Sequence, residues 1–498
     1  MTSKTRSGKS EFEVAPFAAR QAQYKACLDE IAALHKWGKK EFITDQVELR
    51  KNYSIDKSSH IPAVPAAAVA PSTAELVAKI VQICAKHKVP MTPRGAGTGL
   101  EGGAVPYAGG IVIDTNNLKW IKIDKENSCV WVGAGVRKTA LNRAVQKEGL
   151  LFGADPSSNP CVGGMVSTSG SGMCTLKYGT TRENVLSLRV VTPQGELFQT
   201  RQVVRKSSAG LELTALYIGS EGTLGIITEV CFRLFPDTKY RAGGVATFTT
   251  TEDAVKAVVA MKQQGVPHTL LRCELLNKGA VAGSNKVYKT QLEETATVLL
   301  EFVTNDPSRR DLYKDYQTVV KVFKQHGKTR KMRYLKDGKE MDSVWDARRG
   351  CHYSSMKCDK AKGTQQVIST DVCVPLTALA QAVSDTEEDF VKNNRPCFIC
   401  AHISDGNYHT LIPYSDPADF VKARALEQAM VRRAVKMGGT VSGEHGVGVG
   451  KVHHLLSEHG EVHLNTQESI KKALDPDNIM NPGCFYPCQQ KLLPTAHL

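Results

Sequence analysis

The sequence predicts an α+β protein of more than one domain, on three observations. The first half carries three glycine-dense tracts, at 94–103, 163–172 and 219–225, each set among apolar runs that read as strands. From Gly244 the pattern changes to strands alternating with long helices, the mark of an antiparallel sheet covered on one face. The chain has 498 residues, 41% of them hydrophobic, enough for a core spread over about two to four domains. No apolar run approaches the roughly 20 residues that span a bilayer. Four segments are expected: a helical one at 1–60 packed on the next, a domain at 61–240, a second at 241–436, and a segment at 437–498 that returns to the first domain.

Ala18 to Lys39 has apolar residues at helical spacing, and Ile61 to Pro71, rich in Pro and Ala, connects it to the first domain. Ser72 to Lys88 is an amphipathic helix with Leu76, Ile80 and Ile83 on one face and Ser72 as its N-cap. Strands are expected at Val89–Thr92, Ile111–Asp114, Cys129–Gly133 and Leu186–Val191, and a helix at Arg137–Glu148 closed by Gly149. Beyond Gly244 come strand Val245–Thr249, helix Glu252–Gln264, strand Thr297–Val303 and helix Leu312–Gln325.

The first tract, Arg94-Gly95-Ala96-Gly97-Thr98-Gly99-Leu100-Glu101-Gly102-Gly103, reads as a phosphate cradle. Glycine lets backbone N–H groups turn toward an anion, and Arg94 could add charge-assisted bonds to a diphosphate. Gly97, Gly99 and Gly102 satisfy G-x-G-x-x-G, but that fingerprint needs a following helix. Pro106, Gly109 and Gly110 break the segment before the strand at Ile111, so the tract is a loop between strands and a Rossmann site is excluded. The second and third tracts alternate glycines with hydroxyls where backbone must approach a flat or phosphorylated ligand. Three such tracts separated by strands suggest several loops closing on one extended ligand.

In the second half, Ala401-His402-Ile403-Ser404-Asp405-Gly406-Asn407-Tyr408-His409 is expected to be a hairpin. A two-residue type I′ turn at Asp405-Gly406 would pair His402 directly with His409. Opposed Cβ atoms lie about 4.5 to 5.5 Å apart, from which two imidazoles can share a divalent metal. Ser442-Gly443-Glu444-His445-Gly446 offers Glu444 as a third ligand with open positions left over, the arrangement of a catalytic metal. His445 could then act as a base. Arg348, in Trp345-Asp346-Ala347-Arg348, offers a fork for an anionic substrate.

The combination P-R-G-x-G-T-G-L-x-G-G, then G-G-x-x-S-T-x-x-S-G with Tyr178-Gly179-Thr180, then G-S-E-G-T-L-G-I-I-T resembles the FAD-binding domain of the vanillyl-alcohol-oxidase-like flavoproteins. The resemblance implies a two-lobed PCMH-type FAD-binding domain plus an antiparallel-sheet substrate (cap) domain covered by helices. It places FAD between the lobes, with its diphosphate on the first loop. Carried onto this chain, the FAD residues are Arg94, Gly95, Ala96, Gly97, Thr98, Gly99, Pro156, Gly163, Gly164, Ser167, Thr168, Ser169, Gly172, Gly222, Ile227 and Asn481. Covalent members carry a His where this chain has Thr98, so the FAD is expected to be noncovalent.

The later motifs resemble the FAD-linked D-2-hydroxyacid dehydrogenase branch, with H-x-G-D-G-N-x-H and G-E-H-G-x-G as its signatures. Ala473-Leu474-Asp475-Pro476 and Met480-Asn481-Pro482-Gly483 extend the match. Thr370-Asp371-Val372-Cys373-Val374-Pro375 looks most like the D-lactate members, and Ser369, where the D-2-hydroxyglutarate members tend to have Lys, argues for a monocarboxylate. Two departures are Ser404 for the usual Gly and Cys484 where a Lys commonly follows. The resemblance implies D-lactate oxidation to the 2-keto acid, with His402, His409 and Glu444 on zinc or manganese and Arg348 on the substrate. His445 would be the base, hydride would pass to FAD, and an acceptor such as cytochrome c or a quinone would reoxidise it. The rivals are a D-2-hydroxyglutarate dehydrogenase, an alkylglycerone-phosphate synthase-like transferase and a non-catalytic basic binding protein.

The net charge of +14 and pI of about 9.1 are compatible with nucleic acid, but Lys and Arg are scattered and no zinc-finger, helix-turn-helix or RNP signature is present. Fourteen cysteines without regular spacing read as reduced thiols. In Cys397-Phe398-Ile399-Cys400, a strand-like run, the thiols would face opposite ways, against a zinc or redox pair. Met1–Ser10 is basic but is followed at once by Glu11 and Glu13, a poor transit peptide. Ala496-His497-Leu498 resembles a Ser-Lys-Leu address, so a peroxisome or glycosome and its import receptor are expected, with the mitochondrion as the alternative.

Overall fold

A computed structural model describes residues 17–357 and 365–486. They fall into two compact units. One comprises the chain as far as Ser171, then Gly179–Pro236, then the chain from Glu444; the other comprises Gly172–Tyr178 and Asp237–Gly443.

The first unit contains two main sheets. One orders its strands Phe42–Ile43, Ala67–Val69, Ile111–Asp114, Met91–Arg94, the last three parallel. Helix Ala74–Lys86 feeds the strand at Met91. Its apolar stripe of Val77, Ile80, Val81 and Cys84 is buried against that sheet. The N-cap is Thr73, not the expected Ser72: the Thr73 hydroxyl accepts from Leu76 N–H at 3.1 Å, satisfying an orphan donor of the first turn. The second sheet is antiparallel, in the order Ile121–Asp124, Cys129–Gly133, Ile226–Arg233, Val185–Val191, Leu197–Gln199. Its edge strand Ile121–Asp124, absent from the sequence reading, alternates half-buried Ile with exposed Lys and Asp. The expected N-terminal helix is split into Phe17–Gln23 and Lys25–Leu34. The second glycine tract, expected as a loop, begins as a short helix, Val162–Ser167.

The segment from Glu444 belongs to this unit. Helix Leu455–Leu474 is bent at Gly460, whose φ is 76°. Near its end buried Lys471 donates from Nζ to Thr223 O at 2.7 Å and Met480 O at 2.9 Å and pairs with Asp475, which ties the last strand-like bridge, Met480 to Met91, into the parallel sheet.

The second unit is built on one antiparallel sheet in the order Thr329–Lys336, Tyr240–Phe248, Ala296–Thr304, Leu270–Leu276, Phe398–His402, Asn407–Tyr414, Gln366–Ser369, with Val372–Cys373 also pairing to Asn407–Tyr414. Helices cover both faces rather than the single expected one. Thr251–Gln264 and Arg310–His326 pack one side, where Phe248 meets Phe323 and Phe302 meets Tyr316. Lys278–Tyr288, Lys339–Arg349 and Cys351–Met356 pack the other, around Val245, Leu276, Leu299, Trp345, Phe398 and Leu411. Both faces of the central strands are covered: Leu270–Leu276 and Ala296–Thr304, largely apolar, are buried at every position, so neither face is left to water. No helix among the described residues is long and apolar enough to cross a membrane.

Candidate active site

The three glycine tracts and the C-terminal segment converge within the first unit. The first tract leaves strand Met91–Arg94 with Gly97 and Gly102 at φ of 63° and 75°, a left-handed backbone that favours glycine. The Arg94 side chain is committed to this loop. It lies where a Cβ on Gly97 would stand, donates to Ala104 O at 3.2 Å, and sits 5.9 Å over the Tyr53 ring. Gly95 O accepts from Asn116 Nδ2 at 2.8 Å, which fixes the loop's exit from the strand. Pro156 O accepts from buried Lys138 Nζ at 2.5 Å beside Asp155.

In helix Val162–Ser167 the two glycines have different surroundings. A Cβ on Gly163 would lie 2.6 Å from Ala134 Cβ, whereas one on Gly164 would meet nothing within 4 Å. Packing therefore requires glycine at 163 only; at 164 the helix presents a bare backbone to open space. The Ser167 and Thr168 hydroxyls bond back to Gly163 O at 2.8 Å and Gly164 O at 3.3 Å, and Ser169 takes a φ of 53°. Gly172 opens the short segment that belongs to the other unit.

The third tract is joined to both others. Gly222, at φ 72°, packs so that a Cβ would lie 2.9 Å from Pro93 Cγ, and Glu221 N–H donates to Ser167 O at 2.9 Å. Ile227 is buried in the strand that follows. Asn481 fastens the arrangement: its Nδ2 donates to Gly103 O and Glu221 O, each at 2.9 Å. Sequence reasoning missed the role of Glu221. Its buried carboxylate accepts from the Val447 and Gly448 N–H groups at 2.6 and 2.8 Å, holding the Gly446–Gly450 stretch just after Glu444 and His445. Burial pushes this carboxyl up, against the pull of those two N–H groups. Glu444 accepts from Ser171 Oγ at 2.8 Å, and both it and His445 are half-buried.

His402, His409 and Arg348 lie in the second unit. The hairpin forms, but in another register: His402 pairs with Asn407 and His409 with Cys400. A type I′ turn needs positive φ at both central residues, and of Asp405 and Gly406 only Gly406, at 80°, has it. A longer loop results, with Asp405 N–H closing on His402 O at 2.9 Å. The slip is by two residues, which keeps every side chain on its face, so the imidazoles are diagonal neighbours with centroids 5.4 Å apart, edge to face.

Both rings are buried and anchored through Nδ1. His402 Nδ1 is 2.8 Å from Glu274 Oε1, and His409 Nδ1 is 3.0 Å from Thr370 O. A backbone carbonyl can only accept, so neutral His409 carries its proton on Nδ1 and a lone pair on Nε2; the Glu274 carboxylate sets the same tautomer in His402. Anchoring of this kind is what metal-ligating histidines ordinarily have. The neighbouring Asp371 carboxylate is fully buried and accepts from Asn407 Nδ2 at 2.7 Å and Ser442 Oγ at 2.9 Å.

Arg348 is not at the surface but 4% exposed, at the end of Lys339–Arg349, with Nε 2.8 Å and Nη2 2.5 Å from Glu274 Oε2. Burial would raise the Glu274 carboxyl, but the facing His402 and Arg348, both hydrogen-bonded to it, hold it below the usual range. Glu274 too was missed. A signal existed in Leu-Leu-Arg-Cys-Glu-Leu-Leu, an apolar strand with two charges two residues apart, which must share one buried face and find partners there. Of the C-x-x-C thiols, Cys400 neighbours Cys351 and Cys397 neighbours Asn277.

Comparison with known proteins gives consistent matches. Residues 65–201 match the FAD binding domain family and residues 238–484 the C-terminal domain family of FAD linked oxidases. A mitochondrial D-lactate dehydrogenase [cytochrome] of Arabidopsis thaliana is 34% identical over 94% of this chain and 82% of its own. A probable mitochondrial D-lactate dehydrogenase of Danio rerio is 33% identical over 87% of each. Among solved structures, an alkyldihydroxyacetonephosphate synthase matches with a TM-score of 0.70 over 92% of this chain and 84% of its own, at 20% identity, a likeness of fold alone. These relatives correct the reading of the C-terminus. Both of these D-lactate dehydrogenases are mitochondrial by name, against a peroxisome or glycosome. The three-residue match at Ala496-His497-Leu498 has little information to set against similarity along most of the chain, and it lies, like Met1–Ser10, outside the described residues.

Proposed function

We propose, for a chain that belongs to the family of FAD-linked oxidases and D-lactate dehydrogenases and is an FAD-dependent oxidoreductase, that its substrate is D-lactate and related D-2-hydroxy monocarboxylates. The observation that carries the reading is the pair of buried imidazoles, His402 and His409, each anchored through Nδ1 by an oxygen of the protein. Two imidazole donors of fixed tautomer suit zinc or manganese, and the bare helix surface at Gly164 suits a flat cofactor.

FAD, when bound, supplies the acceptor for two electrons, and a divalent metal supplies the Lewis acidity that lowers a hydroxyl pKa. His402 and His409 hold the metal through Nε2, and Glu444 is assigned as the third ligand from its place in the G-E-H-G motif. Arg348 orients the substrate carboxylate through the guanidinium edge that does not face Glu274. His445 takes the hydroxyl proton. The glycine tracts, with Thr98 in place of a linking His, hold the FAD without a covalent bond. Ser369 stands where the D-2-hydroxyglutarate members tend to have a Lys suited to a second carboxylate, so D-2-hydroxyglutarate is the poorer substrate. The cytochrome in the name of the Arabidopsis relative points to a cytochrome as the final acceptor, and the relatives' location points to the mitochondrion.

The test is D-lactate-dependent dye reduction before and after chelation. Activity should fall on removing the metal and return on adding zinc or manganese. Unchanged turnover in protein proven metal-free would remove the metal from the mechanism.

A further inference from the structure

On the sheet face covered by Lys339–Arg349, strand Leu270–Leu276 carries two charges among apolar neighbours. Arg272 is neutralised by Glu301 and lies 3.9 Å over the Trp345 ring. Glu274, 1% exposed, divides its two oxygens: Oε1 takes His402 Nδ1, and Oε2 takes both Nε and Nη2 of Arg348. These partners come from two separate elements, a hairpin and a helix, and they meet at one carboxylate on a third, the strand.

The chemistry of the partners makes this group irreplaceable by an amide. Arg348 has donors only, and His402 must donate through Nδ1 if Nε2 is to keep its lone pair. Three donors on two elements need two acceptor oxygens. A glutamine offers one, and its amide N–H, turned toward His402, would demand an acceptor at Nδ1 and so move the ring proton to Nε2. The two contacts of Arg348 also fix the rotation of its planar fork, which directs Nη1 away from Glu274.

We propose that Glu274 is the positioning residue of this site, holding His402 in the Nδ1–H tautomer whose Nε2 ligates a divalent metal and holding the Arg348 fork with Nη1 turned to the substrate carboxylate. The inference rests on the reading of His402 as a metal ligand and Arg348 as a substrate residue. It adds the group that makes both competent.

Zinc binding to the chelator-treated full chain is measured by calorimetry for the wild type, Glu274→Gln and Glu274→Asp, and the His402 tautomer is read from nitrogen-15 spectra of histidine-labelled protein, assigned by the resonance lost in His402→Ala. Loss of an outer-shell carboxylate of this kind weakens metal binding by about 10- to 100-fold. Glu274→Gln is expected to show that loss with the ring proton moved to Nε2. Glu274→Asp, which keeps two oxygens, should retain the Nδ1–H tautomer and lose less affinity. A wild-type affinity or an unmoved proton in Glu274→Gln overturns the proposal. A wild type that binds no zinc, while the proton still moves in Glu274→Gln, overturns the metal reading and leaves Glu274 as the group that sets the ring. Should Glu274→Gln fail to fold, the wild-type spectrum still decides, because His402 found with its proton on Nε2 contradicts the assignment outright.

Discussion

Gly163 and Gly164 stand side by side in one short helix, and the consequence of adding a methyl group differs sharply between them. At Gly163 the new Cβ would sit 2.6 Å from Ala134 Cβ and 3.1 Å from Ala134 O. That backbone cannot move aside freely, because Gly163 N–H already donates to the same carbonyl at 2.9 Å. Overpacking of this kind costs about 1 to 3 kcal/mol. At Gly164 nothing lies within 4 Å, and replacing a helical glycine by alanine is worth about 0.5 to 1 kcal/mol in favour of the folded state. Gly164→Ala is therefore expected to melt at or above the wild-type temperature in flavin-free protein, and Gly163→Ala below it. If the bare surface at Gly164 is where the FAD lies, the same stabilising methyl should weaken flavin binding at least tenfold, about 1.4 kcal/mol, read by fluorescence titration of the stripped protein with FAD. Opposite signs for stability and affinity at one position cannot arise from a general loosening of the fold. A Gly164→Ala protein that binds FAD as tightly as the wild type would refute the placement of the cofactor on this helix.

Asn481→Ala removes both donors from Gly103 O and Glu221 O, two net hydrogen bonds worth together about 1 to 3 kcal/mol; thermal melts should show the loss and flavin titration a weaker complex, and unchanged values in both would mean that Asn481 does not tie the tracts together. Glu221 gives a pH signature. Its carboxyl is raised by burial, so the folded chain keeps this proton where the unfolded chain has released it, and its contribution to stability is lost as pH rises from the ordinary Glu value through the raised one. Glu221→Gln has no proton to lose and should flatten that decline in melting temperature, while an identical pH slope in the two proteins would contradict the assignment.

Much of the first unit was legible in the sequence because its signals are local. Glycine tracts between apolar runs announce close backbone approach wherever they occur, and the missing helix after Gly103 was enough to exclude a Rossmann loop. The helix at Val162 was not legible, since glycines and hydroxyls disfavour helix on propensity alone and this one is held by its contact with Ala134. In the hairpin the alternation of side chains placed His402 and His409 on one face, a property that survives a two-residue slip. The register itself depended on whether Asp405 would adopt positive φ, which a local pattern does not decide. Glu274 and Glu221 were hidden for a different reason. Each is a lone acid within a segment that reads as apolar strand or glycine loop, and its partners, Arg348 and His402 for one and Val447 and Gly448 for the other, come from segments far along the chain. The pairing of Arg348 was hidden for the same reason, since nothing near it in sequence announces a buried carboxylate.

The central claim is that the chain carries a noncovalent FAD reduced by D-lactate. The most direct measurement is the visible spectrum of the purified protein, mixed without oxygen with D-lactate, L-lactate and D-2-hydroxyglutarate in turn. The predicted result is a yellow protein whose flavin band is bleached by D-lactate, hardly by D-2-hydroxyglutarate and not by L-lactate, and whose flavin is released into solution on denaturation. A colourless protein, or a flavin that D-lactate leaves oxidised, would contradict the account.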